Sequence, residues 1–307
     1  MSSSIKVAIV HDYIKEYGGA ERVVEELHKL FPDAPIYTAF YKEGSTAYAR
    51  LKGAKIIPSW VHYIPFFADK LHSPLRFLTP LIWASFDFSK YDVVISSASW
   101  YVTKGFGSRK STPAFSTPVS LRSQAGSLAS ASVRPSGVKR DYYLVVGRIV
   151  GSKGLDLAVE AAAKLGIKLK IVGLPAGYYT GYKSLSKKAE KNVEFLGHVR
   201  DEELAKLYSG AKAFLALAED EDFGMTPVEA MLSGTPVIAY YGGGYKESVI
   251  DEKTGLFFRE YTLDSLVDAI KKFESLKISS ETCRKQAQKF SSDVFDKKIL
   301  DFIKGLK

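Results

Sequence analysis

The run FLALAEDEDFGMTPVEAMLSGTPVIAYYGGG, residues 214–244, decides the fold of this 307-residue chain. An apolar run ending at Leu217 gives way to an acidic loop, Glu219 to Asp222, and Phe223-Gly224 makes the bend. Thr226-Pro227 reads as the N-cap and first residue of a helix. That helix carries Val228, Met231 and Leu232 on its apolar side and stops at Gly234. A second apolar run, residues 236–240, leads into three glycines. The pattern is strand, loop, helix, strand, glycine loop. Such a unit presents unpaired N–H groups at the helix start, around Met225 and Thr226, where an anion is stabilised. Glu221 and Glu229 stand on either side of the helix start with seven residues between them. One lies in the loop and the other on the first turns, so both can face one ligand from different heights.

The wording EDFGMTPVEAM with GTPVIA after it resembles the donor-site signature of retaining family 4 glycosyltransferases of the GT-B fold. With GGGYKESV and TGLFF it is most similar to the mannosyltransferase-like branch that builds surface polysaccharides. The likeness is close over about 130 residues. A plain βα unit with a merely solvated acidic loop is the alternative reading of the same residues.

From residue 141 onward strands and helices alternate, which predicts a doubly wound parallel sheet. Strands are expected at 142–146, 168–172, 192–196 and 213–217, with Asp201 capping a helix that bears Leu204, Leu207 and Tyr208. Thr262 caps a further helix with Leu263, Leu266, Val267, Ile270 and Phe273. Arg148 and Lys153 flank a strand-to-helix loop, where two cations can clamp a diphosphate, one by its fork and one as a point charge. The resemblance gives this Gly-Arg…Lys-Gly pair the same role. The loop after the third strand, at His198-Val199, falls at the carboxyl edge of the sheet, so its backbone is a candidate for holding the nucleotide base.

The first half starts with a buried-type strand at 6–10, then His11-Asp12-Tyr13, Gly18-Gly19 and a helix with Val23, Val24, Leu27 and Leu30 on one face. A glycine pair between strand and helix lets backbone approach a phosphate. The resemblance makes Gly18 and Gly19 donor-site residues. His11 and Asp12 read either as acceptor-side groups or as a strand-end hydrogen bonder and a cap. Further strands are expected at 35–40, 55–57 and 91–96. Residues 58–88 mix Trp60, Tyr63, Phe66, Phe67, Phe77, Trp83, Phe86 and Phe88 with Lys70, His72 and Arg76. That composition suits a lipid-facing amphipathic stretch or helices broken by Pro65, Pro74 and Pro80.

Residues 107–136 then hold nine serines and no apolar period, so they are expected to be a flexible loop, dispensable for folding of the second half. The resembled family carries a Cys-His-Thr-Pro-type motif and further strands here, and this chain does not. The expected fold is therefore α/β and GT-B-like, two Rossmann-type domains facing a cleft with the N-terminal one incomplete. The division reads 1–105 as a partial acceptor domain, 106–140 as a serine-rich linker and 141–307 as the donor domain.

Composition bounds the rest. Hydrophobic content of 46% and charged content of 25% are those of a globular protein. The single Cys283 excludes a disulfide framework and a cysteine-built zinc site, which fits a reducing, cytoplasmic compartment. Neither an export signal over the first residues nor a spanning apolar stretch is indicated. The net charge of +9 is lopsided: residues 1–140 hold 18 Lys/Arg against 10 Asp/Glu, the remainder 25 against 24. A basic first half points to an anionic partner, a diphosphate or an anionic membrane surface. No nucleic-acid-binding module is present, so no nucleic acid is expected as a partner.

The resemblance implies transfer of a sugar from a nucleotide diphosphosugar, GDP-mannose favoured, to a glycan or lipid-linked acceptor with retention and without a cofactor or metal. Arg148, Lys153 and Glu221 would carry the chemistry. Glu221 would hold sugar hydroxyls and Glu229 the ribose diol, with Phe223, Gly224, Met225 and Thr226 around the donor. Two alternatives stay open: a metal-dependent transferase, because Asp220-Glu221-Asp222 spells Asp-x-Asp, and a nucleotide-sugar-binding protein with little or no turnover.

Overall fold

The structure is a computed structural model and describes residues 5–97, 140–175, 185–187, 189 and 191–305. The serine-rich segment 107–136, and the expectation attached to it, lie outside these residues. By its contacts the described chain forms two units: residues up to 97 with the closing helix Ser292–Gly305, and residues 140–291.

In the first unit, β1 (Val7–His11) is buried along its whole length and leads into α1 (Gly19–Leu30), which buries Val23, Val24 and Leu27. β2 (Ile36–Thr38), α2 (Thr46–Arg50), β3 (Ile56–Pro58), α3 (Thr79–Ala84) and β4 (Val93–Ser97) follow. The strands pair in parallel in the order β3-β2-β1-β4, so β1 is flanked on both sides and its continuous apolar run is what that position requires. The aromatic stretch divides by direction. Val61, Phe67, Ile82, Trp83 and Phe88 enter the core around Phe40, while Trp60, Tyr63, Phe66, Phe77 and Leu81 stay exposed. The closing helix packs on α1. Chain order alone assigns it to the domain 141–307, because a contact with a helix so far back in the chain leaves no mark on local sequence.

The second unit carries β5 (Tyr142–Val146), α4 (Leu155–Leu165), β6 (Lys168–Val172), β7 (Val193–Gly197), α5 (Asp201–Gly210) and β8 (Ala211–Ala216). It continues through α6 (Met225–Leu232), β9 (Val237–Tyr240), α7 (Tyr245–Ser248), β10 (Gly255–Phe258), α8 (Leu263–Ser275) and α9 (Ser280–Gln288). The six strands are parallel in the order β10-β9-β8-β5-β6-β7. This is the doubly wound order, with its switch point between β5 and β8. Alternate residues serve opposite cores. Tyr143, Val145, Leu169, Ile171 and Leu215 pack under α4 and α8, whereas Tyr142, Leu144, Phe214 and Ala216 pack with residues of α5, α6 and α9.

Three local expectations are corrected. α6 begins at Met225 with Gly224, at φ 83°, in the capping position, so Thr226 lies inside the first turn. Asp201 is the first residue of α5 and Arg200 precedes it as the cap; the carboxylate still serves the helix dipole from within the turn. β10 was not expected: four residues opening on glycine carry too short a pattern to read as a strand.

Before β5, at the amino edge, the Arg140 guanidinium donates to the Ser209 and Gly234 carbonyls (3.2 and 3.0 Å) and to Ser280 Oγ at 3.4 Å. It thus ties the C-terminal ends of α5 and α6 to the start of α9, a favourable place for a cation. Arg140→Met is expected to lower the unfolding free energy by about 2–4 kcal/mol, read by denaturant titration. Ligand affinity at the opposite, carboxyl edge should be unchanged.

Candidate functional site

The loops that leave the carboxyl ends of β5 and β8 flank the switch point. After β5, Ile149 donates its N–H to the Leu174 carbonyl (2.9 Å), so the pairing of β5 with β6 runs on past the strands. Arg148 is exposed on this loop and makes no hydrogen bond or ion pair among the described residues. The chain then turns through Gly151–Lys153 and enters α4 at Gly154, φ 68°. A Cβ on Gly154 would lie 2.5 Å from the Leu217 carbonyl oxygen and 2.7 Å from the Tyr261 hydroxyl. Glycine is what lets α4 start against the end of β8. Tyr261 secures that end by donating to the Leu217 carbonyl at 2.9 Å.

This approach brings Lys153 to Glu221, Nζ to Oε2, at 2.6 Å. The Glu221 loop is held from behind by the glycine triplet. Gly244 donates its N–H to the Glu221 carbonyl at 2.7 Å, and a Cβ on Gly243 would lie 2.2 Å from that same oxygen. A Cβ on Gly244 would meet Phe223 Cα at 2.3 Å. The triplet is therefore a clasp of backbone on backbone, with no room for side chains. Directly after it, Tyr245 places its hydroxyl 3.3 Å from Glu221 Oε2. Gly224 caps α6 against the Tyr245 ring and has no side chain to bond the first-turn N–H groups of Met225 and Thr226, which therefore remain open to an acceptor.

The other candidate residues are placed differently. Glu229 is 3% exposed and accepts a hydrogen bond from the Tyr208 hydroxyl of α5 at 2.9 Å. Phe223 packs on the Phe290 ring, centroids 5.4 Å apart. Val199 joins the core, while His198 is exposed on the loop after β7, at the far side of the sheet from β8. The sequence reading missed Tyr208, Tyr245 and Tyr261 as site-forming groups. Only the position of Tyr245, immediately after three glycines, offered a signal. Among the described residues no three acidic, histidine or cysteine side chains gather as a metal site would require.

In the first unit, Gly18 caps α1, but its N–H is taken by Glu21 Oε2 at 2.9 Å. Glu21 Oε1 lies 3.4 Å from His11 Nε2, and His11 Nδ1 bonds the Ser97 carbonyl at 2.5 Å. Burial opposes the charged imidazole, but the hydrogen bond and charge of Glu21, the Ser97 carbonyl and the Asp12 charge outweigh it and raise the His11 pKa. Burial likewise opposes the Glu21 carboxylate, and the His11 hydrogen bond and charge prevail and lower it. Gly19, beside this network, is exposed.

Residues 131–290 match the family described as "Glycosyl transferases group 1". The chain belongs to that family. A D-inositol 3-phosphate glycosyltransferase of Mycobacteroides abscessus is 35% identical over 143 residues, 44% of this chain and 32% of the relative. The alpha-1,3/1,6-mannosyltransferase ALG2 of Mus musculus is 31% identical over 196 residues, 56% of this chain and 47% of the relative. The matches thus span less than half the length of these relatives. Among solved structures, the lipopolysaccharide outer core galactosyltransferase WaaB in its apo form aligns with a TM-score of 0.69 at 16% identity, covering 98% of this chain and 99% of that one. HepE from Anabaena in complex with UDP-glucose aligns with a TM-score of 0.69 at 16% identity, covering 98% and 100%. These likenesses establish a GT-B-like α/β fold built on parallel sheets.

The His11–Glu21 pair sets a pH dependence for the stability of this chain. Because the folded His11 pKa is raised, its contribution is complete below the unfolded value of about 6.5 and is lost as pH rises through the folded value. The Glu21 contribution, from a lowered pKa, is lost only as pH falls below the ordinary value of 4.5 and through the folded value. Stability of the chain should therefore decline on the alkaline side of about 6.5. His11→Asn should flatten that decline, as measured by unfolding at a series of pH values.

Proposed function

We propose that this chain is a retaining, metal-independent glycosyltransferase that moves a sugar from a nucleotide diphosphosugar to a glycan or lipid-linked acceptor. The observation that carries the reading is the Lys153–Glu221 pair set beside the open start of α6, at the switch point of a doubly wound sheet. A diphosphate suits this place, because Lys153, exposed Arg148 and the Met225 and Thr226 N–H groups all carry positive charge or partial charge. Departure of the nucleoside diphosphate builds negative charge on its oxygens, and these groups would stabilise it. The acceptor hydroxyl would attack from the face the diphosphate leaves, and the leaving oxygen would take its proton. Glu221 would then hold donor-sugar hydroxyls. Glu229 would meet the ribose diol, which requires its carboxylate to be shared with or released from Tyr208.

GDP-mannose is the favoured donor on the wording of the motif, and the ALG2 relative is a mannosyltransferase by name. The HepE neighbour holds UDP-glucose, so UDP-sugars are the rival donors. A thermal-shift screen against GDP-, UDP- and ADP-sugars tests the reading, since a ligand at a hundred times its Kd adds about 2.7 kcal/mol to stability. Arg148→Ala and Lys153→Ala should each weaken nucleoside diphosphate binding by about 1.5–3 kcal/mol without lowering the melting temperature of the free chain. Unaltered affinity in both variants would remove the diphosphate from this site. Transfer that persists in EDTA is expected, and binding without any transfer would favour a nucleotide-sugar-binding protein.

A lipid-linked acceptor is supported by the first unit. Phe66 and Phe77 are 71% and 73% exposed, with Trp60, Tyr63 and Leu81 also exposed and Lys70 and Arg76 among them. Aromatic and basic side chains together suit a headgroup layer. No helix among the described residues is long and apolar enough to cross a membrane. The chain should sediment with vesicles containing anionic phospholipid and not with purely zwitterionic ones, and Phe66→Ser with Phe77→Ser should abolish that partition.

A further inference from the structure

One oxygen of Glu221, Oε2, has two partners in the ligand-free chain: the Lys153 ammonium at 2.6 Å and the Tyr245 hydroxyl at 3.3 Å. Under the nucleotide-sugar reading, on which this inference rests, these partners fare differently when donor arrives. A diphosphate carries more charge than a carboxylate and competes for the ammonium of Lys153, which sits on a flexible stem. Glu221 then loses its cation at the moment it is needed to meet sugar hydroxyls. Tyr245 cannot follow the ligand in this way. It is 3% exposed, its backbone begins α7 directly after the glycine clasp, and a Cβ on Gly224 would lie 2.6 Å from its ring. Moving that ring would disturb the cap of α6. Burial pushes the Tyr245 phenol up, the Glu221 charge adds to the rise, and a bond from the Ala218 backbone opposes it. The phenol therefore stays protonated, a donor, at neutral pH.

We propose that Tyr245 is a positioning residue, whose hydroxyl keeps the Glu221 carboxylate aligned for the donor sugar once Lys153 is drawn to the diphosphate. A residue with this role affects the sugar and not the nucleotide. The fixed donor orients the acceptor group at small cost, because neither the ring nor its backbone has freedom left to lose.

The test compares UDP with UDP-glucose and GDP with GDP-mannose by calorimetry, in the wild-type chain, Tyr245→Phe, Glu221→Gln and the double variant. Tyr245→Phe keeps the ring that packs on Gly224. It should bind the bare diphosphate within about twofold of wild type, yet bind the matching sugar nucleotide roughly tenfold more weakly, the scale of one hydrogen bond to a charged group. In the Glu221→Gln background the same change should add little, because the carboxylate it positions is gone. Equal losses for diphosphate and sugar nucleotide would overturn the proposal by showing a merely structural hydroxyl, and so would an unchanged preference for the sugar. Failure of the wild-type chain to bind these four compounds, and ADP and ADP-glucose as well, would overturn the nucleotide-sugar reading and this inference with it.

Discussion

The candidate site depends on backbone packed directly against backbone. Gly243 and Gly244 press on the Glu221–Phe223 turn, and Gly154 presses on the end of β8. A single methyl at any of these points would meet an atom at 2.5 Å or less. Backbone contacts of this kind carry no rotamer freedom, so the loops they join are fixed without side chains being spent on the task. The side chains of Lys153 and Glu221 are consequently left to meet one another. Lys153 reaches Glu221 across the switch point because α4 starts where only glycine fits.

Charge within the site follows from that geometry. Lys153 and Glu221 are both partly exposed, so their pairing is of the weakly stabilising kind that solvent screens. A pair of this kind adds little to stability, and exchange of its partners costs little. Glu229 shows the contrary arrangement. Its carboxylate is buried on α6 and accepts from the Tyr208 hydroxyl, shielded from the solvent that reaches Glu221. The two carboxylates of one motif thus sit in different dielectric surroundings.

Much of this was legible along the chain. Nine of the ten strands were expected from short stretches of apolar residues, continuous over Val7 to Val10 in the interior strand β1 but broken by Lys170 in β6 and by Glu194 in the edge strand β7. The helix after Gly224 is marked by proline and glycine at its two ends, although the cap itself fell two residues earlier than its polar residue implied. β10 escaped because four residues opening on glycine show no period. The division of the aromatic stretch into inward Phe67 and outward Phe66 is also invisible in composition. It depends on the left-handed backbone of Phe66, φ 60°, which turns adjacent residues in opposite directions.

By itself the sequence determined the sheet type and every strand but β10, since periodicity and turn residues are local properties, and it named Lys153 and Glu221 as candidates, which the structure brings to 2.6 Å. Only the tertiary structure decided that the three glycines clasp the acidic loop, that Tyr245 shares an oxygen with Lys153, and that Glu229 lies buried against Tyr208. It also brought the closing helix to α1. Each of these joins residues distant in the chain, where contact is set by how sheets and helices pack and no local pattern records it.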